Sequence, residues 1–378
     1  MSQNNPRLYI IAGEASGDLH GSNLLAALKE INPAIETRCW GGDLMKKEGA
    51  TIVKHISELA FMGFVEVLFN LRTILKNIDF CKKDILEFKP DILVLIDYPG
   101  FNLRIAEWAK KNNIIVHYYI SPQVWAWKQS RVKIIKRCVD KMYTILPFEN
   151  SFYEKFNYST EYVGHPLLDE IEKHAQHSID KTEFLSKNNL SDLPIIALLP
   201  GSRKQEIHVK LPIMLAAVKD LKTHQIVIAG APNQSLDMYQ AFESLGITII
   251  FGQTYNLLSF SELAVVTSGT ATLETALFTV PQVVCYKGSW ISYFIARTLI
   301  KIKYISLVNL IMDKLVVKEL IQQECTASNI RQEIELLIEN NSYRNEMITN
   351  YKEMRLILGQ GGASKKVAQS LLKTISKA

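Results

Sequence analysis

The sequence lacks the marks of several large protein classes. Its five cysteines are scattered and form no Cys-x-x-Cys pair, so neither a disulfide framework nor a zinc site is expected, and reduced thiols are the default. No run approaches the roughly 18 apolar residues that a membrane-spanning helix needs. The polar start MSQNNPR is followed by only a short apolar run, which argues against a signal peptide.

The charged residues also show little bias. There are 43 basic and 38 acidic residues, and the net charge of +5 is too weak to indicate a nucleic-acid partner. A mild basic excess suits a phosphorylated ligand or an anionic membrane surface. His174 and His177 lie in a polar stretch without a carboxylate–histidine pattern, so we expect a solvated linker there rather than a metal site.

The chain does contain enough apolar sequence for two domains. Its 378 residues and 48% hydrophobic content allow two separate cores. In the first half, strand candidates alternate with helical patterns, and the continuously apolar residues 92–96 are typical of a strand that is buried on both faces. This alternation predicts a parallel, doubly wound sheet. The strand candidates are residues 8–12, 38–40, 92–96, 114–119, 142–145 and 162–163.

A polar, charged stretch at residues 169–194 predicts the connection between the domains, with one short helix in it. The tail of the chain is predicted to be helical, and its last helix, residues 363–378, is expected to pack back on the first domain. The predicted domains are therefore residues 1–168 with that helix, and residues 169–350. The strand candidates of the second domain are residues 195–199, 225–228, 247–251, 263–266 and 283–286.

Asp97 directly follows the buried strand candidate at residues 92–96. In an open parallel sheet, ligands bind outside the carboxyl ends of the strands. A carboxylate at this position is therefore well placed to act as a general base. The alternative is that Asp97 caps the next helix or pairs with a neighbouring cation, and the sequence alone favours neither.

Two segments of the second half are suited to bind phosphate. The segment SGTATLE lies between a strand and a helix, so Ser268, Gly269 and Thr270 would present hydroxyl and N–H groups at a helix N-terminus. The segment LLPGSR ends another strand. There Ser202 can cap the next helix, and the guanidinium of Arg203 can bind phosphate oxygens in a bidentate manner.

Glu274, the aromatic segment at residues 117–127 and His165 each have two interpretations. Glu274 lies one helical turn after Thr270 and could bind ribose hydroxyls, or it could help to cap its own helix. The aromatic segment at residues 117–127 (HYYISPQVWAW) could line an acceptor pocket or fill a domain interface. His165 could lie at a cleft or serve a hinge. The loop at residues 13–18 (GEASGD) lacks GxGxxG spacing and predicts no dinucleotide site.

Residues 61–76 (FMGFVEVLFNLRTILK) are apolar around most of a helix. Such a helix is usually buried. With basic residues beside it, it also suits a membrane interface or an acyl-chain site. The basic residues are Arg72, Lys76, Lys82 and Lys83, and a similar cluster in the second half consists of Trp290, Tyr293, Phe294, Arg297, Lys301 and Lys303.

With these segments in hand, the chain resembles the lipid-A-disaccharide synthase family, which consists of inverting glycosyltransferases with the two-domain GT-B fold. The resemblance runs nearly from end to end, and the order and spacing of the motifs make it specific. The motifs are AGEASGD (12–18), MGFVEVL (62–68), KPDILVLIDYPGFN (89–102), HYYISPQVWAW (117–127), LPFE (146–149), GHPL (164–167), LLPGSR (198–203), SGTATLE (268–274), YISLVNLI (304–311) and VKEL (317–320).

The resemblance implies a fold and a reaction. Two doubly wound Rossmann-like domains would face a central cleft, the first binding the acceptor and the second the UDP-sugar. UDP-2,3-diacylglucosamine would give its sugar to the 6-hydroxyl of 2,3-diacylglucosamine 1-phosphate, yielding the β-1,6-linked lipid A disaccharide 1-phosphate and UDP. No metal or other cofactor is implied. The enzyme would be cytoplasmic and peripherally attached to the inner face of the cytoplasmic membrane, and it could form a homodimer.

The resemblance also assigns roles to residues. Asp97 matches the family aspartate proposed as general base, whereas Gly100 stands where some members carry a second acidic residue, which argues against a catalytic role for that position here. The positions that match the UDP-sugar site are Ser202, Arg203, Ser268, Gly269, Thr270, Glu274 and Asn309, and those that we place on the acceptor side of the cleft are Glu14, Ser16, Trp125 and His165.

Two other functions fit parts of the sequence. Another GT-B enzyme, such as a UDP-N-acetylglucosamine 2-epimerase or a lipid-linked N-acetylglucosaminyltransferase, would share the fold and the UDP site. It would not need the apolar helix at residues 61–76 together with the aromatic segment at residues 117–127. A regulator that binds nucleotide sugars without turnover would have no need of Asp97.

Overall fold

A computed structural model describes residues 5–59, 71–231, 234, 238–239, 242, 247–288 and 302–377. The chain divides into two compact units. Unit 1 comprises Met1–Asp169 together with Gln360–Ala378, and unit 2 comprises Glu170–Gly359.

In unit 1, the described strands form one parallel sheet in the order β3-β2-β1-β4-β5-β6-β7. Alternate residues of β1 face opposite sides of this sheet: Leu8 and Ile10 pack into one core, and Tyr9 and Ile11 into the other. The strands are β1 (Arg7–Ala12), β2 (Glu36–Gly41), β3 (Thr51–His55), β4 (Ile92–Ile96), β5 (Ile115–Tyr119), β6 (Lys141–Thr144) and β7 (Glu161–Tyr162).

Helices cover both faces of the sheet, which lets every residue of β4 be buried. The last helix of the chain, Ala363–Ile375, contributes Val367 and Leu371 to the core around Leu8 and Ile10. The helices of unit 1 are Ala15–Ile31, Asp43–Lys47, Leu71–Phe88, Pro99–Lys111, Val132–Cys138, Pro147–Glu154, Pro166–Gln176 (which continues into unit 2) and Ala363–Ile375, with 3-10 turns at Ile56–Glu58 and Gln129–Arg131.

In unit 2, the described strands form a second parallel sheet in the order β10-β9-β8-β11-β12-β13. Its strands are β8 (Ile195–Leu199), β9 (Gln225–Gly230), β10 (Thr248–Phe251), β11 (Ser261–Thr267), β12 (Gln282–Tyr286) and β13 (Lys318–Ile321). Its helices are Lys181–Lys187, Lys204–Val218, Thr254–Phe260, Thr270–Leu277, Leu307–Met312, Ala327–Glu339 and Asn341–Leu358.

The predicted pair of doubly wound parallel sheets is confirmed, with corrections at particular elements. The strands β3 and β13 were not predicted, and the connecting stretch contains the helix Lys181–Lys187 as well as the end of Pro166–Gln176, where one short helix was expected. Residues 61–70 of the expected apolar helix lie outside the described residues, as do Trp290, Tyr293, Phe294, Arg297 and Lys301 of the second cluster. Among the described helices, none is long and apolar enough to cross a bilayer.

The strand orders locate one crevice edge in each sheet. In unit 1 the chain runs outward in one direction from β1 through β2 to β3, and in the other direction from β4 through β7. In unit 2 the same reversal occurs between β8 and β11. Ligands of doubly wound folds bind at such a switch point, outside the carboxyl ends of the strands. The loops that follow β1, β4, β8 and β11 are therefore the first places to look for a site.

Candidate active site

Asp97 lies at the switch point of unit 1, in a backbone turn that few residue types adopt readily. It follows β4, and both Asp97 (φ 42°) and Tyr98 (φ 49°) have the left-handed conformation. Two consecutive non-glycine residues in this region cost conformational energy, and such strain concentrates at functional sites. The helix Pro99–Lys111 begins directly afterwards, with proline in its first turn.

Hydrogen bonds to backbone carbonyls hold this turn in place. The buried amide of Asn102 donates to the carbonyl oxygens of Ile96 (3.2 Å) and Asp97 (2.7 Å). The Tyr118 hydroxyl also donates to the Asp97 carbonyl oxygen. The N-cap residue of the following helix is Tyr98, so the Asp97 side chain does not occupy the capping position that was its alternative assignment.

The environment of the Asp97 carboxylate suits a proton acceptor. Burial, with a further contribution from the negative charge of Glu14, raises the pKa of Asp97 to about 6, against an opposing hydrogen bond from the Tyr98 N–H. Among the described residues, no ion pair includes Asp97. A base with this pKa is ionised at neutral pH and still binds a proton readily.

The loop after β1 lies beside Asp97 because β1 and β4 are neighbours, with Ala12 opposite Ile96. Glycine is needed at position 13, where a Cβ atom would overlap the ring of Tyr98. Glu14 and Ser16 are exposed at the start of the helix Ala15–Ile31. The structure thus brings these two predicted acceptor residues to the same sheet edge as Asp97.

Asp18 of the same loop has a structural role that the sequence did not reveal. Its buried carboxylate accepts hydrogen bonds from the backbone N–H groups of Gly42 (2.6 Å), Leu44 (3.1 Å) and Met45 (3.1 Å). It therefore caps the helix Asp43–Lys47 from another part of the chain. The fold therefore explains why the loop carries an aspartate at position 18, and a ligand is not needed to explain it.

The other two acceptor-side predictions, Trp125 and His165, are buried side chains with internal partners. The indole nitrogen of Trp125 donates to Glu149 (3.2 Å), and Trp125 is 8% exposed. His165 accepts a hydrogen bond from the Leu167 N–H (3.2 Å) through Nδ1. Burial, and then the nearby His20, lower the pKa of His165 to about 3, so its imidazole is neutral. Both roles on the acceptor side stay predictions.

The switch point of unit 2 forms a pocket of about 390 Å³. Glycine is favoured at position 201 on its rim because the backbone there has a positive φ (110°), which residues with a side chain rarely adopt. The Arg203 side chain is 63% exposed and lies 3.6 Å from Glu206, which leaves its guanidinium accessible to a ligand. The lining residues come from the ends of β8, β9 and β11, and include Ser202, Arg203, Glu206, Gly230, Thr267, Ser268, Gly269, Thr270 and Glu274.

The loop between β11 and the helix Thr270–Leu277 closes one side of this pocket. Gly269 has φ 152°, a conformation that residues with a side chain avoid, and it leaves the first turn of the helix uncovered. The first N–H groups of a helix have no intrahelical partner, so they can bind an anion. Ser268 is held by its neighbours: its N–H donates to the Cys285 carbonyl (3.0 Å) and its hydroxyl to the Ile305 carbonyl (3.2 Å).

Two further groups in the pocket can contact a nucleotide. Glu274 accepts a hydrogen bond from the Tyr255 hydroxyl (3.1 Å), and burial raises the pKa of Glu274 against the opposing effect of that bond. Thr267 was not predicted; its buried hydroxyl lines the pocket and has no hydrogen-bond partner among the described residues. Its place in the pocket could have been predicted from the sequence, because Thr267 is a polar residue at the end of a buried strand.

Asn309, the remaining predicted UDP-site residue, is fully buried and does not line the pocket. Its amide nitrogen donates to the Val317 carbonyl and to Glu319, both at 2.9 Å. Its amide oxygen accepts from the N–H groups of Val316 (2.8 Å) and Val317 (2.9 Å). All the ordinary hydrogen-bonding capacity of this side chain is therefore used within the protein.

Comparison with known proteins matches this sequence to a family. A family model described as lipid-A-disaccharide synthetase matches residues 8–374. A lipid-A-disaccharide synthase of Syntrophus aciditrophicus is 40% identical over 383 residues, covering 99% of both chains. One from Coxiella burnetii is 38% identical over 370 residues, covering 97% of both. The structure of a UDP-N-acetylglucosamine 2-epimerase from Neisseria meningitidis, bound to UDP-GlcNAc, superimposes with a TM-score of 0.68. The two chains are 16% identical, and the match covers 97% of this chain and 100% of the epimerase. This likeness shows the fold alone.

Proposed function

The chain belongs to the lipid-A-disaccharide synthase family, and from this membership we propose how its two units divide the reaction. The chain is a GT-B glycosyltransferase of lipid A biosynthesis. It transfers 2,3-diacylglucosamine from UDP-2,3-diacylglucosamine to 2,3-diacylglucosamine 1-phosphate and releases UDP. We assign the acceptor and the general base to unit 1, and the UDP moiety to unit 2.

The pocket at the switch point of unit 2 is the observation that supports the UDP assignment. As the bond from sugar to phosphate breaks, negative charge grows on the departing UDP. Arg203 and the N-terminus of the helix Thr270–Leu277 would stabilise that charge. Glu274, held by Tyr255, is positioned to accept hydrogen bonds from ribose hydroxyls. Phosphate binding is thus attributed to backbone N–H groups and one guanidinium.

Asp97 would take the proton from the acceptor. Its carboxylate removes the hydrogen of the 6-hydroxyl while that oxygen forms the new bond to the anomeric carbon. The electron pair of the breaking glycosidic bond leaves with UDP, on the opposite face of the sugar, so the configuration inverts. The supporting observations are the position of Asp97 after β4 and its raised pKa of about 6.

An assay with both lipid substrates tests the function directly. We expect purified protein to form the disaccharide 1-phosphate and UDP in equal amounts, detected by mass spectrometry. The control reaction contains UDP-N-acetylglucosamine and no acceptor, because a UDP-N-acetylglucosamine 2-epimerase of this fold would act on that sugar, and the fold alone does not decide between the two activities. Conversion of that sugar to its C2 epimer, without disaccharide formation from the lipid substrates, would contradict the assignment.

We also propose peripheral attachment to the inner face of the cytoplasmic membrane, because both substrates carry acyl chains. The helix Leu71–Phe88 supports this proposal: Leu75 (52%), Phe80 (44%) and Leu86 (50%) are exposed on it. Arg72, Lys76 and Lys83 are exposed on the same helix and provide positive charge for anionic headgroups. The homodimer expected from the sequence stays a prediction.

Removing two of these charges tests the attachment. Replacing Lys76 and Lys83 with glutamine is expected to weaken cosedimentation with phosphatidylglycerol vesicles by up to about thirtyfold, since each basic residue near such a surface contributes about 1 kcal/mol. Added salt should weaken wild-type binding in the same way. The matched control replaces Lys219 and Lys222, which are exposed on unit 2, with glutamine. Equal losses in the two double variants would contradict a specific role of this helix.

A further inference from the structure

Glu319 is a buried carboxylate of β13 that binds a neighbouring loop through three residues. It accepts hydrogen bonds from the N–H groups of Ile305 (3.0 Å to Oε2) and Ser306 (2.9 Å to Oε1). It also accepts one from the Asn309 amide at 2.9 Å. Glu319 is 9% exposed, and no ion pair of the described residues includes it. Its charge is therefore compensated by N–H donors of the loop.

The same loop is fixed at its other end by Asn309. The Ser306 side chain accepts a hydrogen bond from the Asn309 N–H at 3.2 Å and so caps the helix Leu307–Met312. The Asn309 amide then ties this helix to Val316 and Val317, directly before β13. Hydrogen bonds of the buried side chains Ser306, Asn309 and Glu319 thus hold residues 305–309 in place.

A hydrogen bond joins this segment to the nucleotide pocket. The Ser268 hydroxyl donates to the Ile305 carbonyl oxygen at 3.2 Å, and Ser268 lines the pocket. Ile305 is also the residue whose N–H is bound by Glu319. A shift of Ile305 would consequently move the hydrogen-bond partner of Ser268, and with it the orientation of the Ser268 hydroxyl.

We infer that Glu319 and Asn309 are positioning residues of the UDP site, which act through Ile305 on Ser268 without touching the nucleotide. This inference rests on the proposed assignment of UDP to unit 2. It gives Glu319 a role, and it changes that of Asn309 from a ligand contact to a support. Support of this kind is expected to affect affinity, because a binding site must hold its polar groups within a fraction of an ångström.

Glu319→Gln is the direct test. Glutamine keeps the size of the side chain, but its NH2 group can accept no hydrogen bond. If the NH2 group takes the Oε2 position, it faces the Ile305 N–H, which keeps only the longer contact of 3.2 Å to Oε1. If it takes the Oε1 position, the donors of Ser306 and Asn309 lose their acceptor. We expect the Kd for UDP and the KM for the UDP-sugar to rise about tenfold, with kcat much less affected. Asn309→Asp, which lacks the NH2 donors and adds a carboxylate beside Glu319, should act in the same direction and serves if Glu319→Gln does not fold.

A matched control separates positioning from a general loss of stability. Glu333 is also 9% exposed and accepts a hydrogen bond from the Tyr343 hydroxyl (2.6 Å), outside the nucleotide pocket. Glu333→Gln should lower the melting temperature without changing the Kd for UDP. If Glu319→Gln and Asn309→Asp likewise lower only the melting temperature, both residues are merely structural and the inference is overturned.

A double-mutant cycle tests the route through Ser268. Ser268→Ala alone should weaken UDP binding, but in the Glu319→Gln background it should weaken binding by clearly less, because both changes disturb one contact. Additive losses would overturn the route through Ile305. If UDP affinity is unchanged in both Ser268→Ala and Arg203→Ala, the nucleotide assignment itself fails. If instead only Glu319→Gln binds UDP with wild-type affinity, the nucleotide assignment stands and only the positioning role of Glu319 fails.

Discussion

Replacing Asp97 with asparagine is expected to lower turnover by about 10²-fold or more, which is the usual scale for loss of a general base. The amide has nearly the same shape as the carboxylate but cannot accept the acceptor's proton at neutral pH. Affinity for UDP, which we assign to the other unit, should stay near that of the wild type. Steady-state kinetics with both lipid substrates and UDP titration calorimetry measure the two quantities.

The pH profile gives this prediction a second readout. The pKa of Asp97 is raised to about 6 by burial and by Glu14, so wild-type kcat/KM should fall about tenfold per pH unit below that value. The Asp97→Asn variant should lack this limb. Near-normal turnover in the variant, or an acid limb that persists unchanged, would remove Asp97 from the mechanism.

Stability measurements exclude unfolding as the cause. A raised pKa means that the fold favours the neutral carboxyl group; this contribution to stability is complete below about pH 4 and is lost as the pH rises through about 6. Asparagine is neutral at every pH, so at about pH 8 the variant should unfold at the same temperature as the wild type or higher. Asp91→Asn, an identical substitution at the opposite end of β4, is the matched control and should retain activity.

Arg203→Ala is expected to weaken UDP binding by roughly 1.5–3 kcal/mol, about 10- to 150-fold in Kd, which is the range for a hydrogen bond to a charged group. Arg203 is exposed at the pocket rim, so its removal should leave the fold intact. Arg203→Lys should give an intermediate loss, because lysine keeps the charge but not the bidentate geometry. Titration calorimetry with UDP measures the loss.

The neighbouring residue provides a control of equal charge. Lys204 is exposed and does not line the pocket, so Lys204→Ala should leave UDP affinity nearly unchanged. If it weakens binding as much as Arg203→Ala does, the effect is one of general electrostatics. Unchanged affinity in both Arg203→Ala and Glu274→Ala would place the nucleotide elsewhere.

The central strands could be predicted from the sequence, whereas two of the four edge strands could not. β4 and β8 are buried on both faces, and their continuous apolar runs were sufficient signals. The unpredicted β3 (TIVKH) and β13 (KELI) are short edge strands with polar residues. An edge strand is covered less completely, so its sequence does not need to differ from that of a loop.

For the candidate site, the sequence could predict which strand ends carry polar residues, but not which of those residues face a ligand. What a single sequence could not separate is a polar side chain that faces a ligand from one that binds the protein itself. Asp18 and Asn309 lie in motifs and are satisfied by internal hydrogen bonds, whereas Thr267, which no motif emphasised, presents an unpartnered hydroxyl to the pocket. Deciding between the two requires knowing what lies opposite each side chain, which only the folded chain provides.

The helix Ala363–Ile375 has a consequence for the order in which the protein is completed during synthesis. Unit 2 is one continuous segment and can fold as soon as Gly359 has emerged from the ribosome. Unit 1 begins first but cannot complete the core around Leu8 and Ile10 until Val367 and Leu371 are available. In topological terms unit 2 is an insertion in unit 1, so a fragment that ends at Asp169 would expose apolar surface and be prone to aggregate.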